Sequence, residues 1–178
     1  MAGVWTLNWK AAKNAVLCGD WIENLSAIKT TNGTMIVSLS ASVNNHASGA
    51  GLWAALASLS TDNISLGSGS TAPAESDYAL ETPLSGINML SVVNEKPTWD
   101  TQTGTVSNTV KLTVQNVNAT AVTVREWGIE FRYTGYNLEH CLLYRAVLDS
   151  PVTIQPNQSA MLTLTRSVTL TDPVVWPV

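Results

Sequence analysis

Two stretches in the second half of the chain alternate so regularly that they admit only one kind of secondary structure. In residues 105–114 the even positions carry Val106, Val110, Leu112 and Val114, while Thr105, Ser107, Thr109, Lys111 and Thr113 hold the odd ones. A period of two gives a strand one buried face and one wetted face. Residues 159–170 repeat the pattern, with Ala160, Leu162, Leu164, Val168 and Leu170 set against Thr163, Thr165, Ser167 and Thr169. Arg166 interrupts the inward row, so that face is expected to meet a sheet margin or a partner there.

Between these stretches the parity changes. Val122 and Val124 are even, but Trp127, Ile129, Phe131 and Tyr133 are odd. A slip of one residue turns over every later side chain, so a β-bulge is expected near residues 125–128, with Gly128 suited to the bend. Residues 140–148 are almost continuously apolar, as in a strand covered on both faces. The intervening segments 118–120, 134–137, 149–151 and 156–158 are rich in Asn, Gly, Ser and Pro and read as turns. Strands of this length and spacing predict an all-β fold, an antiparallel β-sandwich of immunoglobulin-like or jelly-roll-like type.

The first sixty residues follow another rhythm. Trp5, Trp9, Ala12 and Val16 recur at helical spacing, which predicts a short helix ending near Gly19. Residues 30–34 read as a hairpin tip, followed by a strand carrying Met35, Val37, Leu39, Ala41 and Val43 on one side. Ser48 can cap a second short helix with Leu52, Leu56 and Leu59 inward. The chain is therefore divided into an N-terminal arm (1–60), partly helical or extended, a sandwich domain (61–171) and an extended tail (172–178). The tail is apolar and bracketed by Pro173 and Pro177, so it is expected to tuck against its own sandwich or a partner.

Composition narrows the function. Only 12% of the residues are charged, about half the usual share for a soluble domain. Plentiful aliphatic and aromatic residues exclude a disordered chain. A net charge of −4 argues against nucleic acid as a partner. No apolar run reaches the roughly 18 residues of a membrane span. Lys10 and Lys13 precede too short an apolar stretch for a signal peptide, which predicts synthesis in a cytoplasm. Cys18 and Cys141 form no framework of spaced pairs; two separate buried thiols or a single bridge both fit.

Candidate chemistry is sparse. His46 sits in a polar loop, and His140 and Cys141, as strand neighbours, point to opposite faces. No Cys/His cluster has metal-ligand spacing. Glu126 and Glu130 are expected to pair with Arg125 or Arg132 on a solvated face. The segment Gly67-Ser68-Gly69-Ser70 lacks the third glycine of a nucleophile elbow and the lysine of a phosphate loop. It leads instead into a turn expected to place Tyr78 and Leu80 toward the core. No catalytic residue, cofactor or metal is predicted.

That same segment carries a resemblance. Residues 64–73 (ISLGSGSTAP), then Asp77-Tyr78-Ala79-Leu80-Glu81 and Pro83, resemble the opening of a β-domain common in structural proteins of tailed bacteriophages. Residues 110–116 (VKLTVQN) and 121–129 (AVTVREWGI) are similar to a later motif pair of that family. Residues 142–148, 151–156 and 162–165 complete the match, which spans about 62–171. Trp127 is bulkier than the family's usual aliphatic residue, and the N-terminal part has no counterpart. The resemblance implies a virion protein without enzyme activity, made in the host bacterial cytoplasm. It leaves open whether its place is head decoration, neck or collar, baseplate, tail or fibre.

The leading expectation is therefore a non-enzymatic virion component that assembles with copies of itself and other virion proteins into a symmetric oligomer. Trp5, Trp9, Leu52, Trp53, Val174, Val175 and Trp176 are the candidate docking residues. The alternative is a carbohydrate- or receptor-binding sandwich, with Trp99, Tyr133 and Tyr136 as candidate sugar-stacking rings.

Overall fold

A computed structural model of the chain describes residues 3–6, 28–36, 59–133 and 139–169. Those residues form two packed antiparallel sheets and a small hairpin. In chain order the strands are β1 (Gly3–Trp5), β2 (Ile28–Lys29), β3 (Met35–Ile36), β4 (Ile64–Gly67), β5 (Ile87–Asn94), β6 (Thr98–Asp100), β7 (Thr105–Asn116), β8 (Val122–Tyr133), β9 (Glu139–Ile154) and β10 (Ser159–Thr169). One sheet has the order β1-β9-β8-β4; the other has β10-β7-β5, with β6 also paired to β7. The expected antiparallel sandwich is the fold.

Period two does what it implies. Along β7 the even residues from Asn108 to Asn116 are buried and the odd ones half-buried. β10 pairs with β7 in unbroken register from Ser159↔Gln115 to Thr169↔Thr105, which sets Leu162 beside Leu112 and Leu164 beside Val110. These four meet Val124, Trp127 and Ile129 of β8 and Leu143, Tyr144, Ala146 and Leu148 of β9 in one core. Trp127 is fully buried at its centre. The Tyr144 ring lies 5.1 Å from Trp127 and 5.0 Å from Trp5, both tilted, the arrangement that ring quadrupoles favour.

The parity change in β8 is real, but the surplus residues sit on the facing strand. Val124 pairs with Val152 and Glu126 with Val147, so Arg125 opposes residues 148–151 of β9. The segment 149–151, expected to be a turn, is thus an irregularity inside one 16-residue strand. A second shift lies between Ile129 and Glu130, where Leu143 is the extra residue. It puts Leu143 and Tyr144 both on the inner face, with Leu142 buried on the other against Gly128. β9 is covered on both sides from Cys141 to Ala146, as its apolar run predicts.

In the N-terminal part, the hairpin tip at 30–34 is present, with Gly33 in the left-handed region at φ 89°. Trp5 departs from the expected helix: it belongs to β1, where it pairs with Tyr144. The remainder of that helix, the strand positions 37–43, the second helix up to residue 58, the turn at 134–137 and the tail lie outside the described residues. Leu59 is buried, as expected.

The two ends of the sandwich differ. At one, Asn116 ties the sheets together: its Nδ2 donates to Thr120 O (2.8 Å) and Ile154 O (2.9 Å), and its Oδ1 accepts from Asn118 N (2.9 Å). Asn157, at φ 59°, turns the chain from one sheet to the other and donates its N–H to Asn116 O. Thr6, Leu59, Tyr133, Glu139 and Thr169 lie toward the other end.

Candidate functional site

The outer face of the β1-β9-β8-β4 sheet is covered by the chain between β4 and β5. β4 is short because Ser68 leaves the sheet, and the returning chain is held by Ser68 N→Thr82 O (2.8 Å) and Leu84 N→Leu66 O (2.9 Å). The strap so formed crosses β8 and β9 where they place Glu126 and Arg145 on their outer face. Both are charged and both are buried, Glu126 completely and Arg145 to 3% exposure.

Burial of that kind is tolerable only when every polar atom is matched. Glu126 Oε1 accepts from Gly69 N (3.0 Å) and Thr82 N (2.8 Å), and its Oε2 from Glu81 N (3.1 Å) and Arg145 Nε (2.7 Å). Its carboxylate has no acceptor capacity to spare. Arg145 reaches onward, with Nη1 to Asp77 Oδ2 (2.8 Å) and Nη2 to Thr71 O (3.2 Å) and Glu81 Oε2 (3.3 Å). Glu81 also accepts from Thr71 N (2.8 Å) and Thr71 Oγ1 (2.7 Å), and Asp77 from Ala74 N (2.8 Å). The Thr71 hydroxyl first, then the Thr71 amide, hold the Glu81 carboxyl below its ordinary value. For Arg145, burial alone would favour the neutral form, but the Asp77 and Glu126 carboxylates outweigh it and hold the guanidinium above its usual range.

The glycines of the strap are explained by this packing. A Cβ on Gly67 would overlap Glu126 Oε1, and one on Gly69 would lie 2.5 Å from both Glu126 Oε1 and Glu81 Cβ. The Gly-rich segment is a close approach of backbone to a buried carboxylate. Chemically the cluster is a clamp that fastens a loop to a sheet. Pairing of Glu126 with Arg125 or Arg132 on a solvated face is overturned, because the bulge turns Glu126 under the strap. Glu130 instead meets His140, with Oε2 2.9 Å from Nδ1. Leu80 is buried, but on this outer face against Gly128, and half-buried Tyr78 lies under Lys29 Nζ, 3.6 Å from the ring centroid. Neither reaches the sandwich core.

Of the candidate docking residues, Trp5 is half-buried, packs against the core and donates from Nε1 to Ser167 O (3.3 Å), closing one side of the sandwich. Trp9, Leu52, Trp53, Val174, Val175 and Trp176 lie outside the described residues. Of the candidate stacking rings, Trp99 on β6 is 61% exposed. Tyr136 and the Tyr133 side chain lie outside the described residues. Asp100, beside Trp99, is turned to its own loop, accepting from Gln102 N and Thr103 Oγ1.

The outer face of the second sheet is wetted mainly by hydroxyls, with Thr109 and Thr165 in contact at 3.2 Å. Leu90, Val93 and Met161 stand exposed on it. Leu90 is there because a bulge between Met89 and Ser91 leaves two consecutive side chains outward. On the inner face of that sheet, Arg166 is 7% exposed. It pairs across the ladder with Asn108, itself 7% exposed.

No protein-family model, curated protein or solved structure matches the chain.

Proposed function

We propose that this protein is a structural subunit of a bacteriophage particle, a non-enzymatic sandwich that assembles through contacts with copies of itself and with other virion proteins. The observation that carries this reading is the destination of the residues behind the resemblance. Gly67, Gly69, Thr71, Asp77 and Glu81 come from one motif segment and Glu126 from another, yet all belong to the clamp around Arg145. Motif residues that fasten a loop, with their oxygens already engaged, serve rigidity, which a permanent assembly needs.

Two further features support it. The outer face of β5, β7 and β10 is nearly free of charge, with Leu90, Val93 and Met161 set among Ser and Thr; interface cores are depleted of charge in this way. Trp5 already bridges the two sheets at their margin, where an arm would leave the sandwich. Sedimentation velocity over a concentration series tests the reading. A symmetric oligomer is expected, and a monomer at all concentrations, both alone and mixed with particle proteins of the phage encoding it, overturns it.

A second reading, carbohydrate binding, is favoured by one observation, the exposure of Trp99. Quenching of tryptophan fluorescence by a glycan panel, lost in W99A, would sustain it.

A further inference from the structure

Arg166 occupies the inward row of β10, where the neighbouring positions hold Leu162 and Leu164. The residue is more than nine-tenths buried, yet no carboxylate, carbonyl or hydroxyl among the described residues bonds its guanidinium, and Nη1 is sealed from solvent without a partner. Across the ladder, Asn108 spends its Nδ2 on Glu95 O (3.0 Å) and leaves Oδ1 buried and unmatched. The other buried guanidinium among the described residues is treated differently: Arg145, at 3% exposure, meets three carboxylates. A buried cation and a buried amide side by side, each with an open valence, are costly unless something completes them.

The open valences define what fits. Arg166 Nη1 needs an acceptor, preferably anionic, and Asn108 Oδ1 needs a donor. An acidic residue in a peptide carries both, its carboxylate for the guanidinium and its backbone N–H for the amide oxygen. We propose that Arg166 and Asn108 receive an acidic residue presented by a second copy of this chain. The source follows from charge and position. Each copy carries 13 Asp and Glu against 9 Lys and Arg, so carboxylates are in surplus. β10 is a sheet edge among the described strands, eleven residues long, with no Lys, Pro or bulge to discourage a neighbour. Trp5 covers this edge at Ser167 O, one residue from Arg166. Burial lowers the Arg166 pKa to about 10, which still leaves it a cation at neutral pH.

This inference rests on the self-assembly reading above and adds the chemistry of one contact. Its test uses the full chain as wild type, R166M and R166K. Sedimentation velocity is measured across concentration, and thermal melts are run in sodium formate and in sodium chloride at equal ionic strength. The expected result is that R166M raises the association midpoint about tenfold or more, the size of one charge-assisted contact, while R166K raises it less. Formate, by filling the site, weakens wild-type association and raises the melting temperature of the dissociated wild type beyond chloride, with no such effect on R166M. Association unchanged in R166M, with formate no different from chloride, overturns the site. R166M melting lower by the same amount at every concentration, with association intact, assigns the carboxylate to the same chain and overturns the second copy. A monomeric wild type that formate still stabilises overturns self-assembly while sustaining the carboxylate site. Circular dichroism of both variants checks the fold, and the formate comparison on wild type stands without them.

Discussion

Arg145 Nε donates a 2.7 Å hydrogen bond to Glu126 Oε2 between two neighbouring strands, beneath a loop whose own amides complete the carboxylate. The pair is buried, so its members depend on one another. Replacing Arg145 by Met strands a carboxylate that has lost its counter-charge and is expected to destabilise the protein by about 3–5 kcal/mol. The double variant R145M/E126L, which removes both charges, is expected to cost less than the sum of its parts. Urea denaturation of the two single variants and the double variant measures this; strict additivity would contradict the coupling.

Gly69 offers a sharper probe of the strap. Its Cβ position lies 2.5 Å from Glu126 Oε1, so G69A is expected to force the strap outward and cost about 1–3 kcal/mol. Amide exchange at Gly69, Glu81 and Thr82 should accelerate together, while the amides of β7 stay protected.

Acid should loosen the same region. The Glu81 carboxyl is held below its ordinary value of 4.5, chiefly by the Thr71 hydroxyl. A carboxyl whose folded pKa lies below its unfolded one stabilises the fold above the unfolded value, and that contribution is lost as pH falls through the folded value. Stability is therefore expected to decline below about pH 4.5, and to decline less steeply in E81Q. Equal slopes for wild type and E81Q in melts across acidic pH would refute it.

Alkali reports on the core. Burial pushes the Tyr144 hydroxyl up to about 12, with a smaller opposing pull from the Arg166 charge. A phenol with a raised folded pKa contributes stability below its unfolded value that fades as pH climbs through the folded one. Absorbance at the phenolate band should show a late-ionising fraction near pH 12, absent in Y144F.

Two tryptophans should differ sharply in what their truncation costs. Trp127 is fully buried against Tyr144, and W127A is expected to cost about 3–5 kcal/mol. Trp99 is 61% exposed, and W99A should move stability by no more than about 0.5 kcal/mol. Chemical denaturation separates the two directly.

The strands were legible where burial is one-sided. In β7 and β10 each side chain has one fate, so alternation names the inward row residue by residue. The reading weakens in β8 and β9, where the outer face is covered too. There Glu126 looked like a member of a wetted row, because nothing in local sequence announces that residues 68–82 will lie across it. A charge inside the apolar run 140–148 was the available signal, since a buried Arg requires a partner. The parity change located the bulge but could not say which strand holds the surplus, because a shift of register looks the same from either side. Trp5 shows the opposite failure: at that one position helical spacing was outweighed by pairing of Gly3–Trp5 with β9.

The directions of the outermost strands have a mechanical consequence. Among the described strands β1 and β10 both lie at sheet edges, each antiparallel to its neighbour, β9 and β7. Gly3 lies nearer the Asn116 end of the sandwich and Thr169 at the opposite end, so tension applied between them pulls each strand along its own axis. The ladder bonds are then loaded in shear and must fail together rather than peel one at a time. A chain held at Gly3 and Thr169 would resist stretching along the strand axes.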